Sequence, residues 1–383
     1  MLYLNAHILR DGGFFAGDLR TEGERIVSVG RLRAQEGEPT VDLGGRMLVP
    51  GLIETHFHGA MGFDSSMART ECFAAFSDFM AKNGITTFIP ALISSPDEIV
   101  EQYFAAGNDY MRQTPTGAQM AGFYLEGPFL SPQYKGAHDP AALQSPSADK
   151  LRRWLDMANG KLRKVLIAPE LPGALDAIRT AVENGAVAEI GHSAATYGEA
   201  MAGIDAGATR ATHVFNAMPP LHHREPGLLG AVLTDERVTC ELIADFGHVA
   251  PAVVKLVCMA KGVERVDLIS DSCTAAGLGD VDYVHTDGRT IRVRDGLARL
   301  ENGTLMGSAS TVLDGVRHII SLGFSAADAL GMATRNPAHN LGLIDRGEIA
   351  VGKRADLTVL EEDFTVCRTV VGGKTVFERG ASL

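Results

Sequence analysis

The chain is poor in cysteine, in basic residues and in long apolar runs. Its 383 residues include five cysteines (Cys72, Cys240, Cys258, Cys273, Cys367), an odd number with no C-x-x-C pair. That excludes a disulfide framework and a structural zinc knuckle, and it places the chain in a reducing compartment, the cytoplasm. Basic residues are outnumbered, 35 Lys+Arg against 47 Asp+Glu for a formal net charge of −12. Such a surface repels phosphate backbones and anionic lipid, so neither nucleic acid nor a membrane is an expected partner. No segment reaches the about 18–20 uncharged apolar residues of a membrane span, and the opening MLYLNAHILRDGG meets Arg10 and Asp11 without a basic leader region. Apolar residues nevertheless make up 45% and charged residues 21%, the balance of a globular protein with a large core.

From about residue 51 to 271 one rhythm recurs: a short β-branched apolar run, a polar turn, then a stretch of helical periodicity. The runs are GLIETHFH (51–58), GITTFIPAL (84–92), AGFYLEG (121–127), KVLIAPE (164–170), AVAEIGH (186–192), ATRATHV (208–214), VTCELIAD (238–245) and VDLISD (266–271). Eight βα units over this length predict an α/β protein built on a closed (β/α)8 barrel of the TIM type. Residues 1–49 and 346–383 instead show short alternating runs with Gly, Asp and Glu turns. The expected organisation is one small β domain assembled from both chain ends, with the barrel, 50–345, inserted between them. A hairpin is expected at 280–304, turning at Asp295-Gly296, and a Ser-capped helix at 325–343 broken near Pro337.

Histidine placement is the most informative feature. His56 and His58 close the first strand, Glu126 the third, His192 the fifth, His213 the sixth and Asp271 the eighth. These are C-terminal strand ends, the rim where barrel enzymes keep their chemistry. In H-F-H both imidazoles point to one face of a strand. Each position alone reads equally well as a cap or turn residue; six together at one rim read as a metal centre. Imidazole and carboxylate without thiolate suit one or two divalent ions, Zn²⁺ first, with Fe²⁺, Mn²⁺ or Co²⁺ accepting the same donors. A divalent ion polarises a carbonyl and acidifies water, the equipment for hydrolysing an amide or ester. Asp271 is the candidate general base and acid.

Several blocks carry a resemblance: PGLIETHFHG (50–59), LEGPFLSPQYKGAHDP (125–140), GHS (191–193), THVFNAMPPLHHREPGLLGA (212–231), SDSCTAAG (270–277) and GEIAVGKRADLTVL (347–359). In order and over nearly the whole chain, they resemble the N-acetylglucosamine-6-phosphate deacetylases of the amidohydrolase superfamily. The resemblance implies release of acetate from a phosphorylated hexosamine by a metal-bearing barrel with a small β-sandwich domain from both chain ends, commonly as a homodimer. It implies Glu126, His192 and His213 as ligands of the principal ion, His56 and His58 for a second ion with Glu126 and Asp271 shared, and Asp271 as general base and acid. It further implies His138 at the acetyl carbonyl, Ala137, Asn216 and Ala217 beside the sugar phosphate, His248 on a hydroxyl or the phosphate, and Met306, in the LMGS turn, closing the pocket. Arg224 is expected to clamp the phosphate across the dimer interface, and a guanidinium fork suits that anion. His7, His285, His318 and His339 receive no role.

Three positions depart from the family pattern: Glu54 in place of Asp two residues before the first histidine, Phe246 where D-G-x-H has Gly, and Ser272-Cys273 in place of small apolar residues. A bulky ring beside His248 is expected to reshape the sugar subsite and with it the choice between glucosamine and galactosamine epimers. Other amidohydrolases, such as cyclic-amide hydrolases and N-acyl amino acid deacylases, often bridge two metals with a carboxylated lysine at the end of strand four. Here that strand ends Ala168-Pro169-Glu170, which favours the sugar deacetylase. A metal-binding barrel without catalysis would be expected to have lost Asp271 or a ligand, and neither is lost.

Overall fold

The computed structural model describes residues 1–285 and 288–381. Thr286 and Asp287, inside the expected 280–304 hairpin, and Ser382 and Leu383, at the end of the C-terminal piece, lie outside the described residues.

The eight predicted strands form in sequence order as parallel neighbours. The second is split: Ile85–Phe88 pairs with the first, Leu52–Glu54, whereas Ala91–Ile93 pairs with the third, Phe123–Phe129. The run continues through Leu162–Ile167, Val187–Ile190, Arg210–Ala211, Thr239–Ile243 and Val266–Ile269. Closure comes beyond the last strand, where the Asp271 N–H donates to the His56 carbonyl at 2.9 Å and the His58 N–H to the Ser272 carbonyl at 2.7 Å. The connecting helices follow local rules. Ala148–Met157 starts where the Ser147 side chain accepts from the Lys150 N–H, and it buries Leu151, Trp154 and Leu155 at helical spacing. Val312–Ser321 begins with a Thr311/Asp314 capping box and buries Val312, Val316 and Ile319.

Strands from both chain ends share one sheet, in the order Lys374–Glu378, Val366–Val371, Leu357–Leu360, Met47–Pro50, Leu2–Arg10, Gly13–Glu22, Arg25–Gly30, with Thr40–Asp42 also pairing with Leu2–Arg10. It has its own core of Tyr3, Ile8, Leu19, Ile26, Leu48, Leu357 and Val370. The Thr369 hydroxyl donates to the Ala81 carbonyl at 2.7 Å and that of Thr358 to the Gly84 carbonyl at 2.6 Å, fixing the sheet to the barrel's first helix and the turn that follows it.

The Asp295-Gly296 turn forms with φ of 52° and 77°, the left-handed pair that a tight hairpin requires. It belongs to a four-stranded sheet of Asp282–Val284, Thr290–Arg294, Leu297–Leu300 and Leu305–Ser308. Met306 therefore lies in a strand, not in a turn as expected, because Leu305–Ser308 pairs antiparallel with Leu297–Leu300. The helix expected at 325–343 starts at Ser325 but ends at Met332; a second helix, Arg335–Asn340, contains Pro337 in its first turn. The break precedes the proline because a first-turn residue has no intrahelical N–H bond to lose. Among the described residues no helix is long and apolar enough to cross a membrane, and all five cysteines are free thiols.

Candidate metal centre

Five of the six ligand candidates stand just past the strands, whereas Glu126 lies within Phe123–Phe129. His56 and His58 follow strand Leu52–Glu54, His192 follows Val187–Ile190, His213 follows Arg210–Ala211 and Asp271 follows Val266–Ile269. Alternation persists through H-F-H: Phe57 is fully buried in the barrel core while the flanking imidazoles face each other with ring centroids 5.5 Å apart. His192, His213 and Asp271 adopt φ of 42°, 21° and 49°. Left-handed backbone at residues other than glycine costs about 1–3 kcal/mol each and collects at functional sites. Here it turns each side chain inward at the point where pairing stops.

Glu126 is the hub. Its Oε1 lies 3.0 Å from His213 Nε2, 3.3 Å from His192 Nε2 and 3.4 Å from His56 Nε2, and its Oε2 lies 3.1 Å from His58 Nε2. Asp271 Oδ1 stands 3.1 Å from His58 Nε2 and 3.7 Å from His56 Nε2. Burial presses the Glu126 carboxyl upward, but His58 and His56 outweigh it and hold it well below the usual range; Asp271 is likewise lowered, burial again being overcome by His58 and His56. Burial opposes charge on His56, yet Glu241 and Glu126 raise it to about 10. The site is a pocket of negative potential lined by ring nitrogens.

These donors fit a divalent ion. His192 Nδ1 lies 2.8 Å from the Tyr134 carbonyl, which can only accept, so that nitrogen carries the hydrogen and Nε2 presents a lone pair. That lone pair faces His213 Nε2 at 3.0 Å, and the buried His56 Nε2 has no hydrogen-bond partner. Convergent lone pairs and ionised carboxylates are what a cation, rather than a hydrogen-bond network, satisfies.

His138 belongs to the cluster but has the opposite tautomer. The Ser94 N–H donates to its Nδ1 at 3.1 Å, so Nε2 carries the hydrogen and points toward Glu126 Oε2, 3.4 Å away. Burial lowers its pKa to about 4, against the pull of Glu126. His138 is thus a neutral donor rather than a ligand. Gly127 permits this: with φ of +107°, it lies where a Cβ would come within 2.2 Å of Ser94 Oγ.

The centre floors a cavity of about 220 Å³. Ala137, Asn216, Ala217, His248 and Met306 all line it, together with His58, Glu126, His138, His192, His213 and Asp271. Arg224 does not: it is exposed, with its guanidinium 2.6 Å from His223 Nε2. The expectation for Phe246 is overturned. With φ of +64°, its ring stacks on His318, centroids 4.3 Å apart, and it is not part of the cavity wall. The glycine expected there fits the left-handed backbone, and phenylalanine tolerates it with its ring stacked on His318 and outside the cavity lining. His248 Nδ1 is instead gripped by Asp245 Oδ2 at 2.6 Å. Of the other departures, Glu54 accepts the His56 N–H at 3.0 Å and the Ser270 N–H at 3.1 Å, tying the first strand to the eighth, and burial pushes its carboxyl up to about 7. Ser272 donates to the Gly59 carbonyl at 3.1 Å, and Cys273 lines the cavity.

Sequence reasoning missed several residues. Asp64, Tyr283, His285, Thr304 and Leu305 also line the cavity, with His285 Nε2 3.3 Å from Asp64; most come from the hairpin sheet, whose placement over the rim leaves no local signal. Glu241, in contact with His56, did leave one: it is a charged residue within the otherwise apolar strand TCELI.

A model of the amidohydrolase family matches residues 47–376. The N-acetylgalactosamine-6-phosphate deacetylase of Escherichia coli O157:H7 is 36% identical over 330 residues, 86% of this chain and 87% of that protein. The N-acetylglucosamine-6-phosphate deacetylase of Vibrio furnissii is 33% identical over 363 residues, 94% of this chain and 90% of its own. Among solved structures, a mutant N-acetyl-D-glucosamine-6-phosphate deacetylase from Mycobacterium smegmatis, in complex with N-acetyl-D-glucosamine-6-phosphate, superimposes with a TM-score of 0.90 at 35% identity, covering 98% of this chain and 99% of that one.

Proposed function

The chain belongs to the amidohydrolase family, and on that premise we propose that it hydrolyses N-acetylglucosamine-6-phosphate to acetate and glucosamine-6-phosphate. The observation that carries this reading is the convergence of His58, Glu126, His192, His213 and Asp271 on the floor of one cavity, with His56 3.4 Å behind Glu126. Glu126, His192 and His213 would hold the principal ion, and His56 and His58 a second, with Glu126 and Asp271 shared. Zinc is the first candidate, and Fe²⁺, Mn²⁺ and Co²⁺ take the same donors. An ion there supplies a polarised acetyl carbonyl and an acidified water.

The remaining work falls to side chains. Asp271, its pKa lowered because His58 and His56 outweigh the effect of burial, takes the proton of the attacking water and delivers it to the departing amine. His138 donates its Nε2 hydrogen to the acetyl oxygen as that atom gains charge, an interaction strengthened by burial. Ala137, Asn216, Ala217, His248 and Met306 contact the sugar phosphate. Arg224, exposed and outside its own cavity, would clamp the phosphate in the cavity of a second copy, which makes a homodimer the working unit of this reading. Free thiols and an acidic surface support a cytoplasmic setting.

The epimer N-acetylgalactosamine-6-phosphate is the second reading, favoured by the 36% identity to the E. coli O157:H7 protein. The test is acetate release by metal-analysed protein from both phosphorylated epimers and from unphosphorylated N-acetylglucosamine. Faster turnover of the glucosamine epimer is expected; no turnover of any of the three at full metal occupancy would overturn the assignment.

A further inference from the structure

Beneath the metal centre, inward side chains of strands four to eight form a charged layer inside the barrel: Lys164, Glu189, Arg210, Glu241 and Asp267, none more than 1% exposed. Barrel interiors are ordinarily filled by branched apolar residues, so a charged layer at this depth calls for a use. Arg210 bridges Glu189 at 2.8 Å, Glu241 at 2.9 Å and also Asp267; Lys164 meets Glu189 at 3.1 Å and also Glu241. Asn340 holds Asp267 from below at 2.9 and 3.1 Å.

Both cations bind one oxygen of Glu241, Oε1. The other, Oε2, faces upward and lies 2.8 Å from His56 Nδ1, with the Thr212 hydroxyl donating to the same oxygen at 3.2 Å. A carboxylate held by Lys164 and Arg210 stays ionised and only accepts, so His56 Nδ1 carries its hydrogen. Nε2 is then the nitrogen left to serve an ion, and it lies between Glu126 Oε1 and Asp271 Oδ1, 3.4 and 3.7 Å away. Among the described residues, His56 alone of the four histidines in the centre has a carboxylate behind its Nδ1: His192 has the Tyr134 carbonyl, while Nδ1 of His58 and of His213 has no hydrogen-bond partner. A carboxylate behind a ligating imidazole fixes its tautomer and strengthens the opposite nitrogen as a donor.

We propose that Glu241, clamped by Lys164 and Arg210, is a positioning residue for the second ion: it makes His56 a fixed donor for the position shared with His58 and Asp271, and reaches the position of Glu126, His192 and His213 only through the shared Glu126. The inference rests on the metal-hydrolase reading above and goes further, in that the two positions are supported unequally by the fold.

The test is titration of metal-stripped protein with Co²⁺, followed by visible absorption and by metal analysis, for the parent and for Glu241→Gln and Glu241→Asp. Glutamine removes the charge. Aspartate keeps it but withdraws the carboxylate by one methylene, so the ion pairs that maintain the fold survive. The parent is expected to bind two equivalents. Both variants are expected to bind the first with unchanged affinity and the second about 10–100-fold more weakly, with Tm of the aspartate variant close to the parent. A merely structural role would weaken both equivalents together, alongside a lowered Tm, and would overturn the proposal; so would unchanged binding of the second equivalent, or a parent that saturates at one. A parent that saturates at one equivalent yet releases acetate leaves the hydrolase reading standing, whereas one that binds no cobalt and releases none removes both.

Discussion

Two polar clusters are buried one above the other in the barrel, and they differ in how their charges are met. In the lower one, Lys164 and Arg210 face Glu189, Glu241 and Asp267, and each charge has an opposite partner within the layer. In the upper one, acceptors face acceptors: His192 and His213 present ring nitrogens to each other at 3.0 Å beside Glu126, and His56 Nε2 has no hydrogen-bond partner. A paired network is complete without a ligand. The upper cluster holds no lysine or arginine, so only His58 and His56 offset Glu126 and Asp271 there, and the same donors suit a cation. The two layers are similarly buried but differ in residue type, imidazole above and Lys164 and Arg210 below, and that difference decides which of them has a use for a ligand.

Metal removal breaks the comparison most severely. Chelation should abolish acetate release without unpairing the lower layer, and zinc restored to about 100 times its Kd should add about 2.7 kcal/mol of stability, read as a shift in Tm. Asp271→Asn should lower kcat by about 10²–10⁴-fold while metal analysis still finds the ion of Glu126, His192 and His213; undiminished turnover would remove Asp271 as base. Arg210→Met attacks the lower layer and should cost about 3–5 kcal/mol in denaturant unfolding, because buried carboxylates lose their partner, while first-equivalent metal binding survives in the folded fraction. Arg224→Ala touches neither layer. Loss of a charged hydrogen bond of about 1.5–3 kcal/mol should raise KM for the phosphorylated sugar about 10–100-fold and leave the unphosphorylated sugar unaffected; an equal effect on both would exclude a phosphate contact. Phe246→Gly should be nearly silent: relief of the left-handed backbone offsets the lost stacking on His318, so stability should move by less than about 1 kcal/mol and the epimer ratio not at all.

The upper cluster was legible because its residues recur at one structural position, the end of a parallel strand, and because imidazole and carboxylate have few other reasons to gather there. The lower one was not, although Lys164, Arg210 and Glu241 each interrupt an apolar strand. A single charge in a strand has no stated direction until register places it, and only the closed barrel turns all five inward to one depth. Phe246 shows the same limit from the other side. Its proximity to His248 in sequence is real, but a φ of +64° sends the ring to His318, and backbone sign is not written in residue spacing. The hairpin sheet around Met306 was visible as a turn at Asp295-Gly296, but not as the roof that brings Tyr283 and His285 to the cavity.

Local pattern alone determined the eight βα units, the short alternating strands of both chain ends and the six candidate positions near the strand ends, since each follows from periodicity, turn chemistry or strand-end placement along a few residues, whereas the single sheet those ends share appears only in the structure. Tertiary structure alone decided which ring nitrogen of His56, His138 and His192 carries the hydrogen, that Arg224 stands outside its own cavity and that a charged layer supports one half of the centre. Those properties depend on partners distant in the chain, from 21 residues for Glu189 with Arg210 to 185 for Glu241 with His56. Only closure of the barrel brings such partners within hydrogen-bonding distance.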